Sequence, residues 1–117
     1  MNSYKDLLVW QKSIDLVVEI YHLTKLFPVE EKFCLVSQMR RSVVSITSNI
    51  AEGYARKNRR ENAQFINIAY GSAVELETQI IISCKLNIIN NNQWEKASSL
   101  LIEVQKMLYR YRETLYQ

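Results

Sequence analysis

The sequence predicts an all-α protein that folds as one antiparallel up-down-up-down four-helix bundle over residues 1–117. A chain of 117 residues has the usual length of a single domain. It contains only two Gly and one Pro, which are too few for a fold built on tight turns. Apolar residues recur at three- and four-residue steps in four segments, and short connections between such segments favour antiparallel neighbours in a bundle.

The first helix is predicted to run from Leu7 to Leu26 and to end before Pro28. Its apolar residues form two adjacent lines, whereas contact with one neighbour needs a single stripe. We therefore expect this helix to touch two neighbours, with Trp10 as an interface residue. The two lines are Leu7, Trp10, Ile14, Val17, Tyr21 and Leu16, Ile20, Leu23, Phe27.

The second helix is predicted to begin between Pro28 and Lys32 and to continue to Tyr54, with Gly53 as its C-terminal stop signal. Beside its apolar line lies a line of short polar residues in the same register. This polar line is expected to face a neighbouring helix, and the alternative is that it faces water. Whether it is buried within one bundle or between subunits is left open. Its residues are Gln38, Ser42, Ser45, Asn49 and Glu52.

The third helix is predicted from Arg60 to Leu86. Gly71 interrupts it at a cost of about 1 kcal/mol relative to Ala, which indicates close approach by another helix at Gly71 and Ser72. The polar line of the second helix is the expected partner, so that Asn49, Glu52 or Gln38 would reach across. Glu75 is expected to form hydrogen bonds in the same interface.

Residues 87–92 contain four Asn and are predicted to form a turn before the fourth helix. The fourth helix has the most regular apolar line of the chain: Trp94, Ala97, Leu101, Val104, Leu108, Tyr111 and Leu115. The first and third helices carry more apolar residues than one bundle needs. We therefore expect Ile80 to Ile82, with part of the first helix, to cover a second subunit, and the alternative is an irregular bundle that buries both faces.

Several classes of site have little support in the sequence. Glu19-x-x-His22 resembles half of a di-iron motif, but His22 is the only histidine, so we expect no metal and no cofactor. Cys34 and Cys84 lack a CxxC spacing and are expected to be reduced thiols in a cytoplasmic protein. No apolar run is long enough to cross a membrane. No catalytic residue is predicted, and a weaker alternative is an enzyme that uses Glu52 and Glu75.

The strongest functional candidate is the basic cluster that follows the second helix. Arg56, Lys57, Arg59 and Arg60 fall within five positions, in a chain whose net charge is +3. Lys and Arg at a helix junction are suited to bind phosphates, so the cluster predicts a nucleic-acid interface. The alternative is a solvated loop. Basic residues elsewhere could extend the interface if they lie on the same side: Arg40, Arg41, Arg110 and Arg112.

Several distinct short motifs are spread over most of the chain. The longest are Asn49-Ile50-Ala51-Glu52-Gly53 and Gly71-Ser72-Ala73-Val74-Glu75-Leu76-Glu77-Thr78-Gln79. The others are Val9-Trp10-Gln11-Lys12, Phe27-Pro28, Gln38-Met39-Arg40-Arg41 and Ser45-Ile46. Together they resemble the 23S rRNA intervening-sequence protein family, also called four-helix bundle proteins, and the resemblance weakens in the fourth helix.

The resemblance implies a homopentameric ring of four-helix bundles, encoded in bacteria within rRNA-gene insertions or by free-standing genes. A group of similar fold, the accessory proteins of diversity-generating retroelements, forms basic barrels that engage a reverse transcriptase and nucleic acid. The resemblance carries over no catalytic residue. It implies structural use of Asn49, Glu52, Gly71, Ser72 and Glu75.

Two functional hypotheses follow from the sequence. The first is a non-enzymatic homo-oligomer that binds RNA or a ribonucleoprotein through the basic cluster. The alternative is a protein-interaction scaffold, for example for a reverse transcriptase, with no direct role in nucleic-acid binding.

Overall fold

The structure is a computed structural model and describes residues 3–117. Four long helices account for most of these residues. They are α1 (Leu8–Thr24), α2 (Leu35–Tyr54), α3 (Arg59–Lys85) and α4 (Asn91–Leu115), and short 3-10 turns lie at Tyr4–Asp6 and Val29–Glu31. Residues 3–117 contain no strand. The predicted all-helical class is confirmed.

The helices pack as the four sides of a bundle. α1 and α3 each contact α2 and α4, whereas no Cα atoms of the diagonal pairs lie within 8 Å of each other. Contacts between α1 and α2 run in opposite sequence order: Thr47 bonds Ser13, whereas Arg40, earlier on α2, bonds Thr24, later on α1. The described residues fill a rod of 44 × 24 × 21 Å.

One continuous apolar core runs along the centre of this bundle. It buries the predicted α4 line from Trp94 to Leu108, while Tyr111 and Leu115 are half-buried at its end. Ile80 is buried in this core, so the expectation that it covers a second subunit is wrong. Ile81 and Ile82 are 54% and 42% exposed, because they point away from the core side of α3.

The connection between α1 and α2 is longer than the sequence predicted. α1 ends at Thr24, because residues 26 and 27 already form i→i+3 hydrogen bonds. The segment from Pro28 to Lys32 forms a 3-10 turn and does not begin α2. Cys34, with φ −116° and ψ −106°, lies outside the helical region, so the turn cannot continue directly into α2.

The turn between α3 and α4 satisfies the backbone groups of both helix ends. The N–H of Ile88 donates to the carbonyl of Ser83 (3.0 Å) and that of Asn87 to the carbonyl of Cys84 (3.0 Å), which is the Schellman pattern. Asn87 adopts φ +59°, a conformation that Asn tolerates better than most residues. Asn90 and Gln93 then form a capping box at the start of α4. The predicted turn at 87–92 is thus confirmed in position, with α4 starting inside it.

Candidate nucleic-acid interface

The basic cluster lies at a short connection between α2 and α3, where the two helices are in close contact. A Cβ atom at Gly53 would come within 2.7 Å of Asn62 Oδ1, 3.0 Å of Phe65 Cβ and 3.1 Å of the Asn62 carbonyl oxygen. Gly53 is buried inside α2, which continues to Tyr54. The prediction that Gly53 stops the helix is therefore wrong, and its role is to let the start of α3 approach α2.

Arg56 is held against the bundle. Its Nη2 forms an ion pair with Glu52 Oε2 at 2.8 Å, and its guanidinium lies 4.6 Å from the centre of the Phe65 ring. Both partners are on the helices that the loop joins. Arg56 therefore fixes the path of the connection, and Glu52 partly neutralises its charge. Glu52 itself does not reach across to α3, contrary to the prediction from the sequence.

Arg59 is also used inside the chain. Its two guanidinium nitrogens donate to the carbonyl oxygens of Thr114 (3.0 Å) and Gln117 (2.9 Å) at the end of α4. Cations are favourable at a helix C-terminus, where carbonyl groups lack helical partners. Arg59 thus ties the start of α3 to the end of α4. In addition, Asn58 caps α3 by accepting from the Glu61 N–H at 2.8 Å.

Lys57 and Arg60 differ from these two arginines. Both side chains are exposed, and within residues 3–117 neither has a hydrogen bond, an ion pair or a ring contact. Lys57 lies in the connection and Arg60 in the first turn of α3. We call residues 55–60 together the α2–α3 loop; it presents two uncommitted positive charges from a backbone that Arg56 and Arg59 hold in place. Arg110 and Arg112 lie at this end of the bundle, whereas Arg40 and Arg41 lie near the start of α2, at the other end.

The polar line of α2 does face α3, as predicted, although different side chains make the contacts. Ser42 donates to Glu75 Oε1 at 2.5 Å, and Ser45 and Ser72 share a hydrogen bond of 2.8 Å. Asn49 instead bonds Ser45 on its own helix. Gln38 is exposed and accepts from Ser42 through its carbonyl oxygen. Ser42 and Ser45 are thus the two residues of this line whose side chains form hydrogen bonds to α3 among the described residues.

Gly71 does not act as the sequence predicted. A Cβ atom added there would have no other heavy atom within 4 Å, so no close approach occurs at Gly71 within the chain. Its neighbour Ser72 supplies the contact to α2. The remaining expected interface residue, Trp10, is half-buried and packs edge-on against Tyr4 with ring centres 5.3 Å apart.

The structure separates the residues considered for other chemistry. Glu75 is bonded to Ser42, and Glu52 lies ten residues further along α2. Ten residues correspond to about 15 Å of helix. His22 is exposed, and Glu19 pairs with Lys96 at 3.5 Å. Within residues 3–117 no three His, Cys, Asp or Glu side chains are grouped to hold a metal ion.

The two cysteines are free thiols in different surroundings. Cys34 is exposed just before α2, whereas Cys84 is half-buried and burial raises the pKa of its thiol. Among the described residues, no helix has both the length and the hydropathy for a membrane span.

A group of aromatic and basic residues near the end of α4 was not predicted from the sequence. The Arg112 guanidinium lies 5.0 Å from the Tyr70 ring centre and 5.3 Å from that of Tyr109, and it donates to Asn67 Oδ1 at 3.2 Å. The available signal was the alternation of Tyr and Arg from residue 109 to 112, which places Tyr109 and Arg112 on one face of a helix.

Comparison with known proteins identifies the family. Residues 5–110 match the sequence profile described as 23S rRNA-intervening sequence protein. The chain belongs to this family. A solved structure that is similar to this member is described as a protein with unknown function from the S23 ribosomal protein family of Bacteroides thetaiotaomicron. It has a TM-score of 0.80 and 30% sequence identity, and the match covers 86% of this chain and 94% of that one. No curated protein matches this 23S rRNA-intervening sequence protein.

Proposed function

We propose that this protein is a non-enzymatic, ring-forming four-helix bundle that binds RNA or a ribonucleoprotein through the α2–α3 loop. One observation carries the proposal: Lys57 and Arg60 present two charges without partners on a loop whose neighbours, Arg56 and Arg59, are fixed to the bundle. A phosphate can bind such charges without displacing an internal carboxylate. The family description, which refers to 23S rRNA, agrees with an RNA ligand.

The ring is supported by apolar surface that one chain does not cover. Val74, Ile81 and Ile82 on α3 are all exposed. In the proposed protomer the helices alternate up and down, in agreement with the opposite order of the contacts between α1 and α2. A ring would repeat the loop charges on one rim and so strengthen attraction to a polyanion. Light scattering should give the mass of five chains, and a monomer at micromolar concentration would overturn the ring.

The absence of enzymatic activity is proposed from how the candidate carboxylates are used. Glu52 pairs with Arg56, and Glu75 accepts a hydrogen bond from Ser42. Ser42 and Glu52 are about 15 Å apart along α2. A pair of carboxylates that acts as acid and base must flank one reacting group. Glu52 and Glu75 are too far apart for that task.

A protein-interaction scaffold is the second candidate, because apolar side chains are exposed at the other end of the bundle. Val29 and Phe33, between α1 and α2, are 77% and 85% exposed. Such side chains suit a protein ligand better than a phosphate backbone. A reverse transcriptase is the partner that the resemblance to accessory proteins of diversity-generating retroelements suggests.

The salt dependence of RNA binding distinguishes the two candidates. The double variant Lys57→Gln/Arg60→Gln removes both free charges and leaves the contacts of Arg56 and Arg59 intact. If each charge meets a phosphate, the slope of log K against log salt should fall in magnitude by about 1.4 to 1.8. The matched control is Lys25→Gln/Lys85→Gln, which removes two exposed charges at the opposite end.

Equal binding by wild type and the loop variant would exclude the loop as the RNA interface. If wild-type protein binds no RNA even at low salt, the scaffold is the better proposal.

A further inference from the structure

We infer that the face of α3 and α4 around Tyr109 binds unpaired nucleobases, so that the RNA recognised by this protein is single-stranded where it crosses that face. The inference rests on the proposed function and extends it from the α2–α3 loop to a second surface. We call this surface the tyrosine face. It consists of Tyr70, Tyr109 and Arg112, together with Gln105, Lys106 and Arg110.

The aromatic rings of the tyrosine face are held in place before any ligand binds. The Arg112 guanidinium contacts the rings of both Tyr70 and Tyr109 and donates a hydrogen bond of 3.2 Å to Asn67. Tyr109 nevertheless remains 50% exposed. An exposed ring that is already ordered loses little conformational freedom when a base stacks on it.

The charge around Tyr109 is suited to a nucleic-acid backbone. A groove of about 350 Å³ adjoins Tyr109 and is lined by Lys106 and Arg110, and none of its described lining residues is Asp or Glu. Arg112 has no carboxylate partner among the described residues, since its contacts are two rings and an amide. Aromatic rings next to a basic groove are typical of single-strand binding.

Hydrogen bonds between α3 and α4 connect the tyrosine face to the end of the bundle that carries the α2–α3 loop. Asn62, at the start of α3, donates to the hydroxyl of Tyr111 at 3.1 Å, and Asn67 donates to that of Tyr116 at 3.0 Å. Arg59 bonds the carbonyl oxygen of Thr114 in α4 and that of Gln117 just beyond it. Tyr70 lies ten residues beyond Arg60 on α3, about 15 Å along the helix, so one strand can place phosphates at Lys57 and Arg60 while its bases reach Tyr109.

A duplex cannot use the tyrosine face in this way. Each base within a duplex is stacked on both sides by its neighbours, so its ring face is not available to Tyr109. The loop charges, in contrast, bind phosphates of paired and unpaired RNA alike. Tyr109 should therefore distinguish the two forms of RNA, and the loop should not.

The test compares a single-stranded RNA with its perfect duplex at one fixed salt concentration. Tyr109→Leu removes the ring and should weaken single-strand binding about 5- to 150-fold, the range for one lost base stack. Duplex binding should stay unchanged. Tyr109→Phe keeps the ring and should bind like wild type. Phe33→Leu is the matched control, because it removes an exposed ring at the other end of the bundle.

Equal loss of single-strand and duplex binding in Tyr109→Leu, or no loss of either, would overturn the tyrosine face. The loop is judged separately by Lys57→Gln/Arg60→Gln, which should weaken both forms of RNA. If that variant binds normally while Tyr109→Leu fails on single strands, the loop proposal falls and the tyrosine face stands.

Crosslinking of the unmodified protein gives a readout that does not depend on how the variants fold. A single-stranded RNA containing 5-iodouridine is irradiated with wild-type protein, and mass spectrometry identifies the crosslinked residue. Crosslinks at Tyr109 or Tyr70 are expected. Crosslinks confined to Phe33 or to other residues outside the tyrosine face would overturn the inference.

Discussion

The segment around Gly53 and the segment around Gly71 make opposite use of a residue without a side chain. At Gly53 the missing Cβ leaves room for the carbonyl of Asn62 and the Cβ of Phe65. At Gly71 the space stays open, and the contact with α2 is made by Ser72 and Glu75. The first segment is joined by close backbone packing and the second by hydrogen bonds between side chains.

This difference shows that the two ends of the α2–α3 interface depend on different forces. Close packing at Gly53 adapts only in part to an added atom. Asn62 Oδ1, the nearest atom at 2.7 Å, can rotate away, but Phe65 Cβ at 3.0 Å and the Asn62 carbonyl oxygen at 3.1 Å move only with the backbone of α3. The hydrogen bonds at Ser42 and Ser45 can be lost singly, and the exposed carboxylate of Glu75 can then bond water. The consequences of substitution should therefore differ in size and even in sign.

The largest effect is expected from Gly53→Ala. Overpacking costs about 1 to 3 kcal/mol, while the better helix propensity of Ala returns up to about 1 kcal/mol. We therefore expect the free energy of unfolding to fall by about 1 to 2 kcal/mol in urea titrations at fixed protein concentration. A variant as stable as wild type would show that α3 can move away from α2 without loss.

A smaller effect is expected from Ser42→Ala, which removes a buried hydroxyl that donates to Glu75. A hydrogen bond of this kind contributes about 0.5 to 1.5 kcal/mol. The matched control is Ser48→Ala, also on α2, where the side chain is exposed and has no described partner. Both variants share the gain in helix propensity, so the difference between them measures the contribution of the buried Ser42 hydroxyl, which bonds Glu75 on α3 and the Gln38 carbonyl on α2. Identical urea midpoints would contradict the assigned role of Ser42.

The smallest effect, and one of opposite sign, is expected from Gly71→Ala. Among the described residues the added methyl group meets no heavy atom beyond its own stretch of helix, and Ala is favoured over Gly in an exposed helix by about 0.5 to 1 kcal/mol. We expect the thermal midpoint to rise. A loss of stability, accompanied by a lower mass in light scattering, would instead show that another copy packs against Gly71.

The fold could be predicted from periodicity because burial in a bundle follows the helical repeat. The α4 line from Trp94 to Leu108 is buried as the spacing required. Helix ends were predicted less well, since Cys34 and the turn at 29–31 depend on backbone conformation that composition does not encode. The roles of the two glycines were misassigned for a similar reason. The presence of Gly in a sequence does not show whether another helix packs closely against that position.

The location of the candidate site could be predicted from the sequence, but the roles of its individual residues could not. Four basic residues within five positions were visible in the sequence, but they gave no sign that Arg56 and Arg59 are engaged inside the chain. That distinction depends on Glu52, on Phe65 and on the end of α4. The end of α4 is 55 residues or more from Arg59 in the sequence. Long-range pairing of this kind follows from the assembled bundle and not from local spacing.

The end of α1 has a consequence for how the molecule folds. Its last turn is contacted by Arg40 of α2, which donates to Thr24 Oγ1 at 2.9 Å and lies over the Tyr21 ring. These contacts join the end of α1 to a residue sixteen positions away. The α1–α2 hairpin should consequently gain and lose its order as one cooperative unit, and an excised first helix would fray where the intact protein does not.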